Sequence, residues 1–276
     1  MPPEGSKTPQ GTKRPAKPRR TGSAEGGIEA RVAGNERPAG LRPGADTGHR
    51  APKDLGMSPE ALAKAQSESR ERVAGTIDVS RETWERLDRY VALLTEWQTR
   101  MNLVAPASLA EVWERHVADS LQVTDLLPAF ETLTDLGSGG GFPGIVIAIM
   151  RPEARVHLVE SVGKKAGFLR AVAEDLGLST HVHARRIEAC GQVLARSDLV
   201  TARALASLDK LCSLVEPHLK PDARCFFAKG ARHGEEIEEA KANFVFHVKH
   251  HPSRLKEGSV ILELSGIRPR RKQGLR

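Results

Sequence analysis

The sequence predicts an α/β fold: a mostly parallel sheet covered by helices, with an antiparallel pair of strands at one edge and further helices before the sheet. Three observations predict it. From residue 131, short apolar runs alternate with helical stretches, the pattern of βαβ units. A glycine-rich loop joins the first run to a helix. The loop between the last two runs is too short for a crossover helix, which favours antiparallel pairing.

The N-terminal segment differs in composition from the rest of the 276 residues. Residues 1–56 contain 18 Gly or Pro and no aromatic residue, so they cannot bury enough apolar surface to fold. They carry a net charge of +5 out of the chain's +7, partly in the cluster at 13–20. We predict a disordered basic extension over 1–75. The change of composition at Met57 makes this residue a candidate translational start.

Residues 76–130 are predicted to be helical. Ser80 is a candidate N-cap, and an apolar stripe at helical spacing comes after it. The stripe consists of Trp84, Leu87, Val91, Leu94 and Trp97. Ser108 and Glu111 have the spacing of a capping box that would open a second helix. This part is too short to form a stable independent domain, and we expect it to pack on the α/β part of the chain.

Residues 131–267 form the predicted α/β domain, and 268–276 a basic tail. The seven predicted strands are Leu133–Leu136, Val156–Val159, Thr180–His183, Leu199–Thr201, Cys225–Ala228, Phe244–Val248 and Val260–Leu264. The helices predicted between them are 143–150, 164–176, 187–195, 207–219 and 232–242.

Composition excludes several classes of protein. No apolar stretch approaches the roughly 18 residues of a membrane span, and the N-terminus has no apolar signal region. The three cysteines form no C-x-x-C pair, which argues against a zinc site and for a reducing compartment. The histidines lack ligand spacing, including the group at 247–251. We therefore expect a cytoplasmic protein without a metal ion or a membrane partner.

The strongest motif is the loop from Asp135 to Gly144, with the sequence DLGSGGGFPG. Glycines allow close approach of backbone N–H groups to a ligand, and Gly139 lies 21 residues before Glu160. An acid at the end of the second strand is placed to accept both hydroxyls of a ribose. Together the loop and the acid predict an adenosine-type cofactor.

The identity of this cofactor depends on Asp135. Gly139, Gly141 and Gly144 fit the dinucleotide pattern G-x-G-x-x-G. An acid directly before the loop would repel a pyrophosphate but pair with an amino-acid ammonium. Together with the antiparallel edge, it favours S-adenosylmethionine (SAM). A nicotinamide-dependent oxidoreductase and an inactive binding module on the same fold remain alternatives.

Several ordered motifs now indicate a family. They are Asn102-Leu103, Arg115-His116 with Asp119-Ser120, the loop at 135–144, Glu160-Ser161, Lys164-Lys165 with Phe168-Leu169-Arg170, Arg186-Ile187-Glu188, Thr201-Ala202-Arg203-Ala204 and Lys229-Gly230. Over roughly residues 80–266 the sequence resembles the RsmG family, also called GidB, bacterial methyltransferases of N7 of a guanine in 16S ribosomal RNA. The resemblance implies a Rossmann-like class I SAM-dependent methyltransferase fold.

The resemblance also implies site residues. The SAM contacts would be Gly137, Gly139, Phe142, Ile187, Glu188 and Arg203, alongside Glu160 on the ribose. Guanine N7 carries a free lone pair, so its methylation needs no general base. Arg203 stands where amino-methylating enzymes carry other residues. It would bind guanine O6, a phosphate or the SAM carboxylate, unless it forms only a structural ion pair.

Basic residues near the predicted site are candidates for RNA contact. They are Lys164, Lys165, Arg170, Lys229 and Arg232. His116 and Asp119 are expected to form a pair that braces the helical part. Because residues 57–276 carry only +2, we expect recognition of a shaped RNA, on 16S rRNA or a small ribosomal subunit, by a monomer. A SAM-dependent methyltransferase of a protein or small molecule is the alternative.

Overall fold

The computed structural model describes residues 56–271. The α-helices of this part of the chain are α1 (Pro59–Ala74), α2 (Arg81–Gln98), α3 (Asp119–Leu126), α4 (Gly144–Met150), α5 (Gly163–Asp175), α6 (Gly191–Leu194), α7 (Leu208–Val215) and α8 (His233–Asn243). The strands are β1 (Thr132–Leu136), β2 (Arg155–Val159), β3 (Thr180–His183), β4 (Leu199–Arg203), β5 (Arg224–Lys229), β6 (Phe244–Pro252) and β7 (Val260–Pro269).

The seven strands form one sheet in the order β3-β2-β1-β4-β5-β7-β6. Strands β1 to β5 are parallel to one another, whereas β7 is antiparallel to both β5 and β6. The predicted Rossmann-like class I methyltransferase fold, with its antiparallel edge, is confirmed. Since β1 is adjacent to β4 although β2 and β3 lie between them in the chain, the order reverses beside β1, and a crevice opens there at the carboxyl ends of the strands.

The predicted helix after Ser80 is confirmed. The Ser80 side chain accepts a hydrogen bond from the Thr83 N–H, and α2 buries Leu87, Val91 and Leu94. The α2 stripe packs in one apolar cluster with the sheet face that α4 and α5 cover. The helices before the sheet belong to the same compact unit as the sheet, as expected.

The capping box predicted at Ser108 and Glu111 is wrong. Ser108 ends a short 3₁₀ segment, Pro106–Ser108, and its hydroxyl donates to the Ala105 carbonyl. The next helical stretch is a π-helical turn, Trp113–Ala118, which continues directly into α3. The helix predicted at 187–195 is likewise split into a 3₁₀ turn, Ile187–Ala189, and the four-residue α6.

The boundary of the N-terminal extension also needs correction. Residues 59–74, predicted to be disordered, form α1, which begins at the N-cap Ser58 and buries Leu62 and Val73. Two bidentate ion pairs, Arg70 with Asp88 and Arg72 with Glu114, attach α1 to later parts of the chain. Residues 1–55 of the predicted extension lie outside the described residues, and the start at Met57 stays a prediction.

The C-terminal boundary differs by two residues. Strand β7 continues to Pro269, so the predicted tail at 268–276 begins inside the sheet, and residues 272–276 lie outside the described part. None of the helices within residues 56–271 has the length and apolar character of a membrane span. The second face of the sheet packs on α6, α7 and α8 in a separate apolar cluster.

Candidate active site

The glycine loop leaves β1 at its carboxyl end and enters α4. Gly137 and Gly141 have φ angles of +63° and +96°, in the region that side chains other than glycine rarely occupy. A Cβ on Gly141 would lie 2.7 Å from the Tyr90 hydroxyl oxygen. The loop therefore takes a path that glycine alone permits, packed tightly against α2.

Tyr90 fixes this loop from the helical part. Its buried hydroxyl donates to the Gly140 carbonyl over 2.5 Å, and its ring lies 5.2 Å from that of Phe142. Burial holds the pKa of Tyr90 well above its usual value, so the hydroxyl keeps its proton. Sequence reasoning missed Tyr90, whose signal was its position next to Val91 of the apolar stripe.

A cavity of about 890 Å³ opens beside the glycine loop. Its walls come from the loop, the segment 103–119, the ends of β4 and β5, and the connection between β6 and β7. Of the predicted site residues it brings together Gly137, Gly139, Phe142, Lys165, Arg203 and Lys229. The predicted residues outside its lining are Glu160, Ile187, Glu188, Lys164, Arg170 and Arg232.

Glu160 closes the glycine loop onto β2. Its Oε2 accepts from the Gly139 N–H at 2.9 Å, and its Oε1 accepts from the Val162 N–H at 2.7 Å. The side chain is nearly buried. The spacing from Gly139 to Glu160 thus reflects a direct contact between the two residues, and the predicted ribose contact stays a prediction.

Asp135 lies beneath the loop instead of in the cavity wall. It is fully buried, and its Oδ1 accepts from the Thr201 hydroxyl at 2.8 Å. Its Oδ2 has no hydrogen-bond partner among the described residues. Burial raises the pKa of Asp135 to about 6. The direct pairing with a cofactor ammonium that the sequence suggested does not fit this position.

Arg203 ends β4 and reaches across the cavity to the helical part. Its Nη1 donates to the Arg115 carbonyl and to Asp119 Oδ2, both at 3.2 Å, and its Nη2 donates to His116 Nδ1 at 2.8 Å. The guanidinium carbon lies 5.4 Å from the centre of the Phe142 ring. The predicted ion pair of Arg203 is therefore present, although Arg203 also lines the cavity.

His116 does not pair with Asp119 as predicted; both hold Arg203. The imidazole stacks on Phe142 at 5.1 Å, and its Nε2 lies 2.8 Å from the Ser108 hydroxyl. Burial, with Arg203 and Arg115 nearby, lowers the pKa of His116 to about 3. The neutral ring then accepts from Arg203 at Nδ1 and donates from Nε2 to Ser108.

The remaining acids of the cavity wall are also paired. Among its described residues, carboxylates occur at Glu111, Glu114 and Asp119. Glu111 pairs with Arg115 at 3.5 Å, and Glu114 pairs with Arg72 at 2.8 Å. With Asp119 held by Arg203, each cavity carboxylate has a cationic partner.

Lys229 is not a surface charge. Its side chain is 7% exposed, and its ammonium donates to Glu236 at 2.6 Å and to the Ala206 carbonyl at 2.5 Å. The predicted phosphate contact does not fit this buried pair. Arg232, in contrast, is exposed and pairs with Glu235 on the surface.

The other predicted residues surround the sheet edge. Ile187 is half-buried and Glu188 exposed in the 3₁₀ turn after β3. Lys164 and Arg170 are exposed on α5, where Arg170 makes one long contact to the Val182 carbonyl. Their predicted roles stay predictions.

Two parts of the wall were not predicted. The Gln98 side chain accepts from the N–H groups of Leu103 and Val104, which fixes the segment facing Gly140. The connection between β6 and β7 adds Leu255, which is 49% exposed, and Lys256. Composition and spacing carry no signal for such contacts between distant segments.

Comparison with known proteins decides the family. The family model described as rRNA small subunit methyltransferase G matches residues 83–260. The chain belongs to this family. The RsmG protein of Brucella ovis (strain ATCC 25840 / 63/290 / NCTC 10512) is 44% identical over 193 residues, covering 69% of this chain and 91% of the relative. That of Bradyrhizobium sp. (strain ORS 278) is 45% identical over 208 residues, covering 72% and 92%.

Among solved structures, the chain is similar to the ribosomal protein L11 methylase of Lactobacillus delbrueckii subsp. bulgaricus. The TM-score is 0.43 at 18% identity, over 55% of this chain and 78% of that chain. The RsmG family consists of methyltransferases of small-subunit rRNA, and the cofactor is SAM. The prediction of the family and its cofactor is thereby confirmed.

The residues present fit SAM. The cavity is lined by the backbone of Gly137, Gly139 and Gly140. A Cβ on Gly137 would lie 2.5 Å from the Leu205 side chain. Ala204, in the same wall, has a φ of +52°, which turns the chain sharply after Arg203. The cavity of about 890 Å³ falls in the range of small-molecule sites, which is roughly 300–1,000 Å³.

Proposed function

We propose that this RsmG protein transfers the methyl group of SAM to N7 of one guanine in 16S rRNA by direct displacement. SAM supplies the methyl group on a sulfonium. The bond from N7 to the methyl carbon forms as the bond from sulfur to that carbon breaks, so the positive charge passes from sulfur to the guanine ring. No proton has to leave N7, because the attacking lone pair is free.

The observation that carries this proposal is that no base is free among the described residues of the cavity wall. His116 has its Nδ1 occupied by Arg203 and a pKa of about 3, so it cannot take up a proton near neutral pH. The carboxylates at Glu111, Glu114 and Asp119 are each held by an arginine. Such a wall suits a reaction that depends on alignment, since proximity alone can contribute about 7–11 kcal/mol.

Arg203 is the proposed orienting residue. A guanidinium has five N–H groups, and three contacts of Arg203 to the described residues use Nη1 twice and Nη2 once. Neither its Nε–H nor its second Nη2–H has an acceptor among the described residues. These N–H groups can donate hydrogen bonds to guanine O6, a phosphate or the SAM carboxylate while His116 and Asp119 hold the side chain in place.

We further assign the adenosine end of SAM to the β1–β3 side of the cavity. Each Glu160 oxygen accepts one backbone N–H and retains a second lone-pair site for a ribose hydroxyl. Ile187 and Glu188 come after β3, where their backbone groups can form hydrogen bonds with the edge of the adenine ring. We also propose that the protein acts as a monomer in the cytoplasm, without a metal ion.

Methyl transfer from labelled SAM to small-subunit RNA that lacks the modification tests the proposal. The expected product after nucleoside digestion and mass spectrometry is 7-methylguanosine. A different methylated nucleoside would keep the RNA substrate and reject the mechanism without a base. Label recovered only on a protein or small molecule would favour the alternative substrate class.

A further inference from the structure

Three histidines lie side by side at the β2–β3 edge of the sheet, away from the cavity. His157 on β2 is opposite His181 on β3 in the strand register, with ring centres 5.2 Å apart. His157 Nδ1 lies 3.0 Å from His183 Nε2. We call His157, His181 and His183 the histidine edge.

Three arginines lie near the histidine edge. Arg155 on β2 and Arg196 after α6 act on His157, and Arg185 after β3 acts on His183. All three arginines are exposed. None of them forms an ion pair with a described residue, whereas Arg70, Arg72, Arg89 and Arg203 each do.

Two of the three histidines have lowered pKa values. Burial, together with the neighbouring histidines and arginines, lowers the pKa of His157 to about 4, and the pKa of His183 shifts in the same direction. The His157 ring therefore stays neutral beside these exposed arginines. Within the described residues, no group of three His, Cys, Asp or Glu is arranged to hold a metal ion. Exposed guanidinium groups without an ion pair are available to an external anion.

We propose that the histidine edge with Arg155, Arg185 and Arg196 binds the phosphate backbone of the RNA substrate. This inference rests on the proposed function and adds a second contact surface to it. Arginine matches phosphate geometry with paired N–H donors, and planar imidazole rings offer stacking surfaces to unpaired bases.

The edge also explains how a body of low net charge can engage RNA. Residues 57–276 carry only +2, which would give weak binding if the charge were spread evenly. Here three exposed arginines without ion-pair partners among the described residues surround the histidine edge. RNA shaped to reach both the cavity and this edge would bind better than a short strand that reaches only one.

The test compares two double variants of the full-length protein that remove the same charge. Arg155→Gln with Arg196→Gln alters the edge, and Arg86→Gln with Lys210→Gln removes two exposed cations elsewhere that have no ion-pair partner among the described residues. Affinity for unmodified small-subunit RNA is measured over a series of salt concentrations with SAM present. Thermal midpoint and SAM affinity report whether each variant is folded.

We expect the edge variant to bind RNA several-fold more weakly at low salt. The slope of log affinity against log salt should become shallower by about 0.7–0.9 for each RNA phosphate that the variant no longer neutralises, while the control pair behaves like the native protein. Arg155→Lys with Arg196→Lys should keep most of the slope, because the charge remains.

Two results separate this inference from the proposed function. If the native protein forms 7-methylguanosine and the edge variant matches the control in affinity and slope, the RNA surface is refuted. If the edge variant loses RNA affinity although the native protein forms a different nucleoside, the surface is supported and the assignment of N7 is wrong.

Discussion

Arg203 Nη2 donates to His116 Nδ1 over 2.8 Å and thereby joins the end of β4 to the helical part of the chain. The imidazole in turn lies against Ser108 at Nε2, and the Ser108 hydroxyl donates to the Ala105 carbonyl. A directed series of hydrogen bonds thus runs from the cavity into the 3₁₀ segment. It fixes Arg203 before any ligand arrives.

Replacing His116 tests this positioning. In His116→Ala, Arg203 loses a hydrogen bond of its charged group, worth about 1.5–3 kcal/mol. We expect kcat for methyl transfer to fall by about 10- to 100-fold, with a smaller change in the KM for SAM. His233→Ala is the control, since the half-buried His233 contacts the Gly230 carbonyl outside this series. Unchanged kcat in His116→Ala would show that Arg203 needs no such support.

The buried Asp135 predicts a pH effect on stability. Its pKa in the folded protein is raised from 3.8 to about 6, so folding favours the protonated form. Below about pH 4 the protonated Asp135 makes its full contribution to the free energy of unfolding, about 3 kcal/mol. This contribution is lost as the pH rises through 6. Asp135→Asn should therefore lose less free energy of unfolding between pH 5 and pH 8 than the native protein.

Urea unfolding at the two pH values checks this prediction, with the exposed Asp222→Asn as the matched control. The control should behave like the native protein. If the stability of Asp135→Asn depends on pH as that of the native protein and of Asp222→Asn does, the prediction is contradicted and the Asp135 carboxyl titrates in its ordinary range.

Gly141 and Gly167 predict opposite outcomes for the same substitution. Gly141 has a φ of +96° and faces Tyr90, whereas a Cβ on Gly167 in α5 would meet nothing within 4 Å. We expect Gly141→Ala to lower the free energy of unfolding by about 1–3 kcal/mol or more, and to weaken SAM binding. Gly167→Ala should raise stability by up to about 1 kcal/mol. Calorimetry of SAM binding and urea unfolding would show whether the loop depends on its glycines.

If the reaction needs no general base, the rate of methyl transfer should be nearly independent of pH. At saturating RNA and SAM, the single-turnover rate should change little between about pH 6 and about pH 9, because His116 is already neutral and N7 carries no proton there. A rate that rises tenfold per pH unit over this range would indicate a base that the cavity wall does not supply.

The strands and the glycine loop could be predicted because their signals are local. Apolar runs marked β1 to β5 within two residues, and the loop carried its own turn residues. The helix α1 could not be predicted, since it is mostly polar and relies on ion pairs of Arg70 and Arg72 with residues of later elements. The buried pair of Lys229 with Glu236 likewise depends on packing that spacing does not encode.

The most direct test of the central claim replaces the attacking atom. Small-subunit RNA is transcribed with 7-deazaguanosine, which has C–H in place of N7, and compared with ordinary RNA in binding and in methyl transfer. We predict that both RNAs bind, that only the ordinary RNA is methylated, and that its product is 7-methylguanosine. Equal methylation of the 7-deazaguanosine RNA would contradict transfer to N7.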